Sequence, residues 1–315
     1  MSAPWLSVIM PTYNGAAYID AAIGSVVTQG DSDIELIIVD DGSDDESLDI
    51  ARAYADRLSV SIIEAGRIAN WVRATNIGMQ AARGKYLCWL HNDDAWLPGR
   101  LAEMRRATHD VPNATLYASS CRYIDQRGRR VGLLRAPLPA DRALPPHLVL
   151  PKLLIQNFFS PPALLFQKRH AEVVGWMDDA LWYVADWDFG LKLAALGATV
   201  YHDVPLALYR VHPASLTTRR ANRIDELRRM FQIVLDRHLP ATDGAIALCA
   251  ADVEAARFSA DVNVTLAAIA SGAGGPSRAF LGRCLTLPPT CWPRYFQCSR
   301  IVERIVSRLR VGLTG

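Results

Sequence analysis

Short apolar runs alternate with amphipathic stretches over residues 1–97, the signature of consecutive strand–helix–strand units. Residues 6–10 form the first run, and Pro11-Thr12-Tyr13-Asn14-Gly15 stops it. Between 16 and 27 the spacing turns helical, with Tyr18, Ala22, Ile23, Val26 and Val27 on one side. A β-branched strand is predicted at 35–39; it runs into Asp40-Asp41-Gly42-Ser43, a turn whose Ser43 caps a helix over 44–57. A third strand is predicted at 60–63, a helix at 69–82 ended by Gly84, and a fourth strand at 85–90 ending in His91-Asn92-Asp93-Asp94. This order predicts an α/β fold with a mostly parallel sheet and helices on both faces. Ligands of such sheets sit at the carboxyl ends of the strands. Thr12, Tyr13, Asn14, Asp40, Asp41, Asn92, Asp93 and Asp94 all fall there.

Beyond Leu97 the pattern loosens. It predicts a helix at 98–108, a hairpin from 114–125 and 129–134 around Gln126-Arg127-Gly128, and a strand at 163–167 after a proline-rich stretch. A helix at 185–196 and two strands at 199–202 and 206–211 follow. From about 222 the pattern is helical to the end, with a break at 271–277, and there is no internal repeat. We divide the chain into an α/β domain, 1–220, with a regular part, 1–97, and a looser part, 98–220, followed by a helical C-terminal region, 221–315.

Composition narrows the classes. Half the residues are hydrophobic and 21% charged, which excludes disorder as the main state. A formal charge of +2 lacks the overall excess of a nucleic-acid binder, so no nucleic-acid partner is expected. The most apolar stretch, 144–166, is interrupted by Pro145, Pro146, Pro151, Pro161 and Pro162, unlike a membrane-spanning helix. Met1 leads into a strand without a basic secretory n-region, so the chain is expected in the cytosol. The six cysteines form no Cys-x-x-Cys pair and read as reduced packing residues.

Asp40-Asp41 and Asp93-Asp94 carry the first chemical signal. Adjacent carboxylates at a strand end repel each other and need donors or a cation, and a divalent metal with a diphosphate suits them. Either pair alone would read as a helix cap in a solvated turn. Their combination changes that. Ser7-Val8-Ile9-Met10-Pro11-Thr12-Tyr13-Asn14, Glu35 through Ser43, Asn76-Ile77-Gly78 with Arg83-Gly84-Lys85-Tyr86, and Asn92-Asp93-Asp94 resemble, in order and spacing, the family 2 glycosyltransferases. Ala185-Asp186-Trp187-Asp188 and Tyr209-Arg210-Val211-His212 extend the resemblance to about residue 218.

The resemblance implies a GT-A type fold and an inverting transferase that moves a sugar from a UDP- or dTDP-sugar to a hydroxyl of a glycan or lipid-linked acceptor, as in bacterial surface-polysaccharide assembly. It implies that Pro11 and Tyr13 line the nucleoside pocket, Asp41 accepts a base imide N–H, Asp40 supports the turn, and Asp93 faces the ribose or sugar. Asp94 and His212 would bind Mg2+ or Mn2+, and Asp186 would be the general base. Asp188 and Trp187 would serve the acceptor or sugar. Three positions depart from the family's pattern: His91 replaces the first Asp of an Asp-x-Asp-Asp run, Ala185 replaces a Glu, and Asn70 sits where some relatives carry a basic residue.

Charge is uneven along the chain. Residues 276–315 hold seven Arg and one Glu, leaving 27 basic against 31 acidic residues in 1–275. At 100° per residue Arg300, Arg304, Arg308 and Arg310 share one side of a helix, with Ile301, Val302, Ile305, Val306 and Leu309 on the other. Such a helix either lies on an anionic membrane, giving peripheral contact with the inner face, or packs its apolar side on its own domain. Two other functions fit the fold less well. A nucleotidyltransferase wants a glycine-rich basic loop after the first strand, where residues 11–15 hold one glycine and no Lys or Arg. A catalytically silent sugar-nucleotide binder is favoured only by His91 and Ala185.

Overall fold

The protein is described by a computed structural model covering residues 3–220, 222–240 and 248–314. The first half follows the expected alternation: β1 (Leu6–Thr12), α1 (Ile19–Val27), β2 (Ile34–Asp40), α2 (Ser47–Arg52), β3 (Ser59–Glu64), α3 (Trp71–Ala81) and β4 (Tyr86–Trp89). Then come β5 (Ala95–Trp96), α4 (Arg100–Asp110), β6 (Leu116–Ile124), β7 (Arg130–Leu134), β8 (Ala143–Leu144), α5 (Pro146–Ile155), β9 (Leu164–Gln167) and α6 (Lys168–Val173). The remaining elements are α7 (Ala185–Leu196), β10 (Thr199–Arg210), α8 (Leu216–Arg219), α9 (Ile224–His238), α10 (Ala250–Ala270), α11 (Arg278–Thr286), α12 (Cys291–Ser299) and α13 (Ile301–Thr314).

The sheet runs β3-β2-β1-β4-β9-β6-β10-β5, with β7 and β8 pairing β6 and β10. Neighbours from β3 to β4 are parallel, as are β6 and β10, while β9 enters antiparallel to both β4 and β6. Strand periodicity divides the core. Ile9, Ile37, Val39, Leu87 and Trp89 face one apolar cluster, and Val8, Met10, Leu36, Ile38 and Cys88 face the other. Trp89 anchors the first through an edge contact with Phe166 and a tilted one with Phe189, at centroid distances of 5.3 and 5.4 Å. Helix α3 lies close on β1 and β2 because position 78 is glycine: a Cβ there would meet Ile9 Cγ2 and Val39 Cγ2.

The first cluster also contains Leu227, Val234, Phe258 and Cys298, so the C-terminal helices share the core of the sheet's helical layer. Three expectations change. Ser43 does not cap a helix; its Oγ accepts from the Asn14 backbone N–H at 3.0 Å, and α2 begins four residues later behind Glu46. The two strands at 199–202 and 206–211 are one strand, β10, whose pairing with β6 shifts on both sides of Pro205, a residue without an N–H to donate. The proline-rich stretch contains α5, with Pro146 in its first turn and Pro151 inside it.

Candidate active site

The parallel strands β1, β2 and β4 end on one edge of the sheet, and the crevice there is bordered by Arg67, which meets Asp41, and by Trp71, which stands edge-on to His91 at a centroid distance of 5.2 Å. Asp40 Oδ2 accepts from the N–H groups of Gly42 and Ser43, at 3.1 and 3.0 Å, which holds the turn as expected. Asp41 is placed differently from its expected role. Its carboxylate accepts from the guanidinium of Arg67 and the N–H groups of Ile68 and Ala69, and only 7% of the residue is exposed. With its oxygens engaged there, Asp41 holds the 67–69 loop instead of presenting itself to a base. That loop carries Arg67 onto Tyr13, with the guanidinium carbon 3.8 Å from the ring centroid. Tyr13 stands at the crevice rim, whereas Pro11 is buried in β1 opposite Val39. Arg67 belongs to no motif, because its neighbours are an irregular loop.

Asn70 is the N-cap of α3, its Oδ1 accepting from Val72 and Arg73 N–H, and its Nδ2 donates to Asp179 O at 2.8 Å. Next to it, Trp71 Nε1 donates to Trp182 O at 2.7 Å. The two residues strap the loop before α7 to the nucleotide half, which brings Asp186 towards the carboxylates after β4.

Those carboxylates are held by β10. The Arg210 N–H donates to Asp94 Oδ1 at 2.9 Å, and its guanidinium donates to the carbonyls of Asp93 and Asp125 at 2.8 and 3.1 Å. His212 Nε2 stands 3.0 Å from Asp93 Oδ2, so it reaches Asp93 and not Asp94. The histidine grouped with both carboxylates is His91, which departs from the family's pattern: ligand atoms of His91, Asp93 and Asp94 lie within 4.8 Å of one another. Burial, and then the neighbouring charge of Asp93, push the Asp94 carboxyl well above its ordinary range. Asp93 stays low, since its hydrogen bond to His212 and the two nearby imidazoles outweigh burial. Burial, against the pull of Asp93, lowers His91. Among the described residues, Asp94 Oδ2 and His91 Nε2 are buried without a hydrogen-bond partner. A hard divalent cation would answer both: it takes carboxylate oxygens and a neutral imidazole, and its charge would offset the burial and the repulsion by Asp93 that push Asp94 up.

A cavity of about 440 Å³ opens beside this cluster, lined by Tyr209 and Arg210 on one side and by Asp186 and Trp187 on another. Asp186 lies in the first turn of α7 behind Val184, which makes no side-chain cap. Its Oδ1 accepts from the Trp187 N–H at 2.9 Å and its Oδ2 from Asn157 Nδ2 at 3.1 Å. Burial raises its pKa to about 6 in spite of these bonds. Tyr209 sits among the carboxylates, its hydroxyl pushed well up by burial and then by Asp94, Asp93 and Asp186. Trp187 is buried, with its Nε1 bonded to Leu153 O at 2.7 Å. Asp188 departs from the expected acceptor role. It is fully buried beneath the site, with Lys192, Arg237 and His238 at 2.7, 2.8 and 2.9 Å. Against burial, which raises it, the hydrogen bonds from His238 and Lys192 hold its pKa down to about 2.

Known proteins are similar to this chain in sequence and in fold. The pattern described as glycosyl transferase family 2 matches residues 7–160. An uncharacterized glycosyltransferase of Rickettsia prowazekii (strain Madrid E) is 30% identical over 231 residues, covering 71% of this chain and 69% of its own. The chain belongs to glycosyltransferase family 2. Solved structures agree on the fold. The S. aureus TarS fragment 1–349 in complex with UDP-GlcNAc aligns with a TM-score of 0.61 at 14% identity, over 97% of this chain and 88% of that one. The mannosyltransferase PcManGT from Pyrobaculum calidifontis, in complex with GDP-Man and Mn2+, aligns at 0.56 and 17%, over 99% and 88%. The family 2 glycosyltransferase described here therefore has the GT-A type fold, in which a mostly parallel sheet carries helices on both faces and a helical C-terminal region follows.

Proposed function

We propose that the enzyme transfers a sugar, with inversion, from a UDP- or dTDP-sugar to a hydroxyl of a glycan or lipid-linked acceptor, in bacterial surface-polysaccharide assembly. The observation that carries this reading is the shared cavity: Asp186 lines it together with Tyr209 and Arg210, and those two residues adjoin Asp93 and Asp94. A base on one side and a diphosphate site on the other suit displacement with inversion. Donor binding by neighbours of this fold, UDP-GlcNAc in TarS and GDP-Man in PcManGT, supports a nucleotide-sugar donor.

On this reading Tyr13 and Arg67 hold the base, and Asp41 acts through the 67–69 loop. Asp94, with Asp93 and His91, would hold Mg2+ or Mn2+, and His212 would set Asp93. Bound there, the cation supplies charge neutralisation for a departing diphosphate. Asp186 accepts the proton of the acceptor hydroxyl as the new bond to the anomeric carbon forms; Asn157 orients the carboxylate. Residues 1–97 would bind the nucleotide and 98–220 the acceptor, with 221–315 as a helical C-terminal region.

Peripheral membrane contact belongs to the same proposal. Helix α13 turns Arg304 and Ser307 inward and leaves Val302 64%, Ile305 40% and Val306 38% exposed, with Leu285 88% exposed on α11 and Phe296 51% on α12. Among the described residues no helix is long and apolar enough to cross a membrane. Flotation with anionic liposomes should lose most of the bound protein when Val302, Ile305 and Val306 become Ser; unchanged flotation would reject membrane contact.

A nucleotide-sugar panel with Mn2+, read as UDP or dTDP release and transfer to glycan acceptors, tests the catalytic reading. We expect turnover by the wild type and its loss in Asp94→Ala and Asp186→Ala. Full transfer by Asp186→Ala would refute the base assignment.

A further inference from the structure

Tyr209 joins the carboxylates after β4 to the cavity that holds Asp186. It is the last residue but one of β10, in parallel register with Tyr123 of β6. The peptide bond after it carries the Arg210 N–H, which donates to Asp94 Oδ1 at 2.9 Å. Its side chain lines the cavity together with Asp186. Asp93, Asp94 and Asp186 all act on its hydroxyl through their charge.

The ring is held while the hydroxyl is left open. Tyr123 meets the ring edge-on, with 5.9 Å between centroids, and the ladder between β6 and β10 fixes the backbone beneath both. Buried tyrosines usually place the hydroxyl on a partner. Tyr54 and Tyr201 do so elsewhere in the fold, with Asp20 Oδ1 and Ser120 Oγ each at 2.7 Å. Tyr209 is half-buried, and its hydroxyl makes no hydrogen bond among the described residues. Burial and the surrounding carboxylates keep the phenol protonated, so it offers an O–H donor to the cavity.

With a diphosphate at Asp93 and Asp94 and an acceptor hydroxyl at Asp186, the group between them is the sugar in transfer. We propose that Tyr209 determines donor specificity by donating a hydrogen bond to one oxygen of that sugar. This rests on the glycosyl-transfer reading and adds to it a residue that reads the sugar, where Tyr13 and Arg67 hold the base. A fixed donor is directional, so it separates sugars that differ at one hydroxyl. A sugar that turns that hydroxyl away leaves the phenol unpaired and loses the bond.

The test uses the full chain with Mn2+ and measures affinity by calorimetry for UDP, UDP-glucose, UDP-galactose and UDP-N-acetylglucosamine. The readout is the affinity for each UDP-sugar divided by that for UDP, which cancels changes in the base and diphosphate sites. We expect Tyr209→Phe to lower this ratio roughly two- to tenfold for at least one sugar and to narrow the preference among the three, with UDP affinity unchanged as the check on folding. Tyr209→His, which keeps a donor on a ring, should recover part of the ratio. Should Tyr209→Phe lose UDP binding, Tyr209→Met, a second variant without the donor, is read in the same way. Three ratios that all match the wild type would overturn the proposal alone. Failure of the wild type to bind UDP would overturn the glycosyl-transfer reading and this proposal with it.

Discussion

His212 Nε2 lies 3.0 Å from Asp93 Oδ2, joining the residues after β10 to the loop that follows β4. The contact crosses the crevice and fixes the carboxylate that faces Asp94. Hydrogen bonds to charged groups contribute roughly 1.5–3 kcal/mol. His212→Ala is therefore expected to weaken Mn2+-dependent UDP binding roughly ten- to hundredfold, measured by calorimetry. His212→Asn, which keeps a donor, should recover some of the loss.

Asp186 governs the pH dependence. With its pKa raised to about 6 by burial, the carboxyl must lose its proton before it can accept one, so transfer should rise with pH through about 6 and then level. Asp186→Asn should lower transfer by roughly 10²- to 10⁴-fold and leave donor affinity intact. A flat rate profile between pH 5 and 7 would remove Asp186 from the role of base.

The same group makes a stability prediction of opposite direction. The folded state keeps the Asp186 proton up to about pH 6, whereas an unfolded Asp releases it near 3.9. Between those values the folded chain binds more protons, so stability falls as pH rises across that window. Thermal melts should show Asp186→Asn more stable than the wild type at pH 7 and indistinguishable from it near pH 3.5.

Asp188 should behave as a keystone of packing. Its fully buried carboxylate ties α7 to α9 through Lys192, Arg237 and His238. Its pKa, depressed to about 2, makes this contribution present above about pH 4 and lost as pH falls towards 2. Asp188→Ala leaves Lys192, Arg237 and His238 without their shared carboxylate and is expected to cost roughly 3–5 kcal/mol at pH 7 in urea titration. Retained stability would show that the cluster is solvated.

Tyr13 and Arg67 supply the nucleoside prediction. Aromatic stacking on a base contributes about 1–3 kcal/mol. Tyr13→Ala should weaken UDP roughly tenfold or more, and Asp41→Asn should do the same indirectly by loosening the 67–69 loop that holds Arg67 on the ring.

Much of the nucleotide half could be read from local pattern. The alternation of Val8, Ile9 and Met10, and of Ile37, Ile38 and Val39, states which side chains face each layer, because side-chain direction in a strand has a period of two. The Asp40-Asp41 turn was legible because turn chemistry acts over a few residues. The resemblance also located Asp93, Asp94 and Asp186 at the crevice.

What the linear chain left open depended on contacts between distant segments. Asp186 and Asp188 look alike as neighbours on one helix, yet 100° of rotation per residue turns one into the cavity and the other onto α9. Asp93 meets His212 and Asp94 the Arg210 N–H, partners more than a hundred residues along the chain. Periodicity in α13 identified two faces without saying which is inward; Arg304 turns in to Gln156 and Asn263, while Val302, Ile305 and Val306 stay exposed. Short-range sterics and alternation thus determined the strands, the turns and the order of the acidic pairs. The tertiary structure alone decided which charges meet, because the partners of a buried charge come from remote segments and no local period records them.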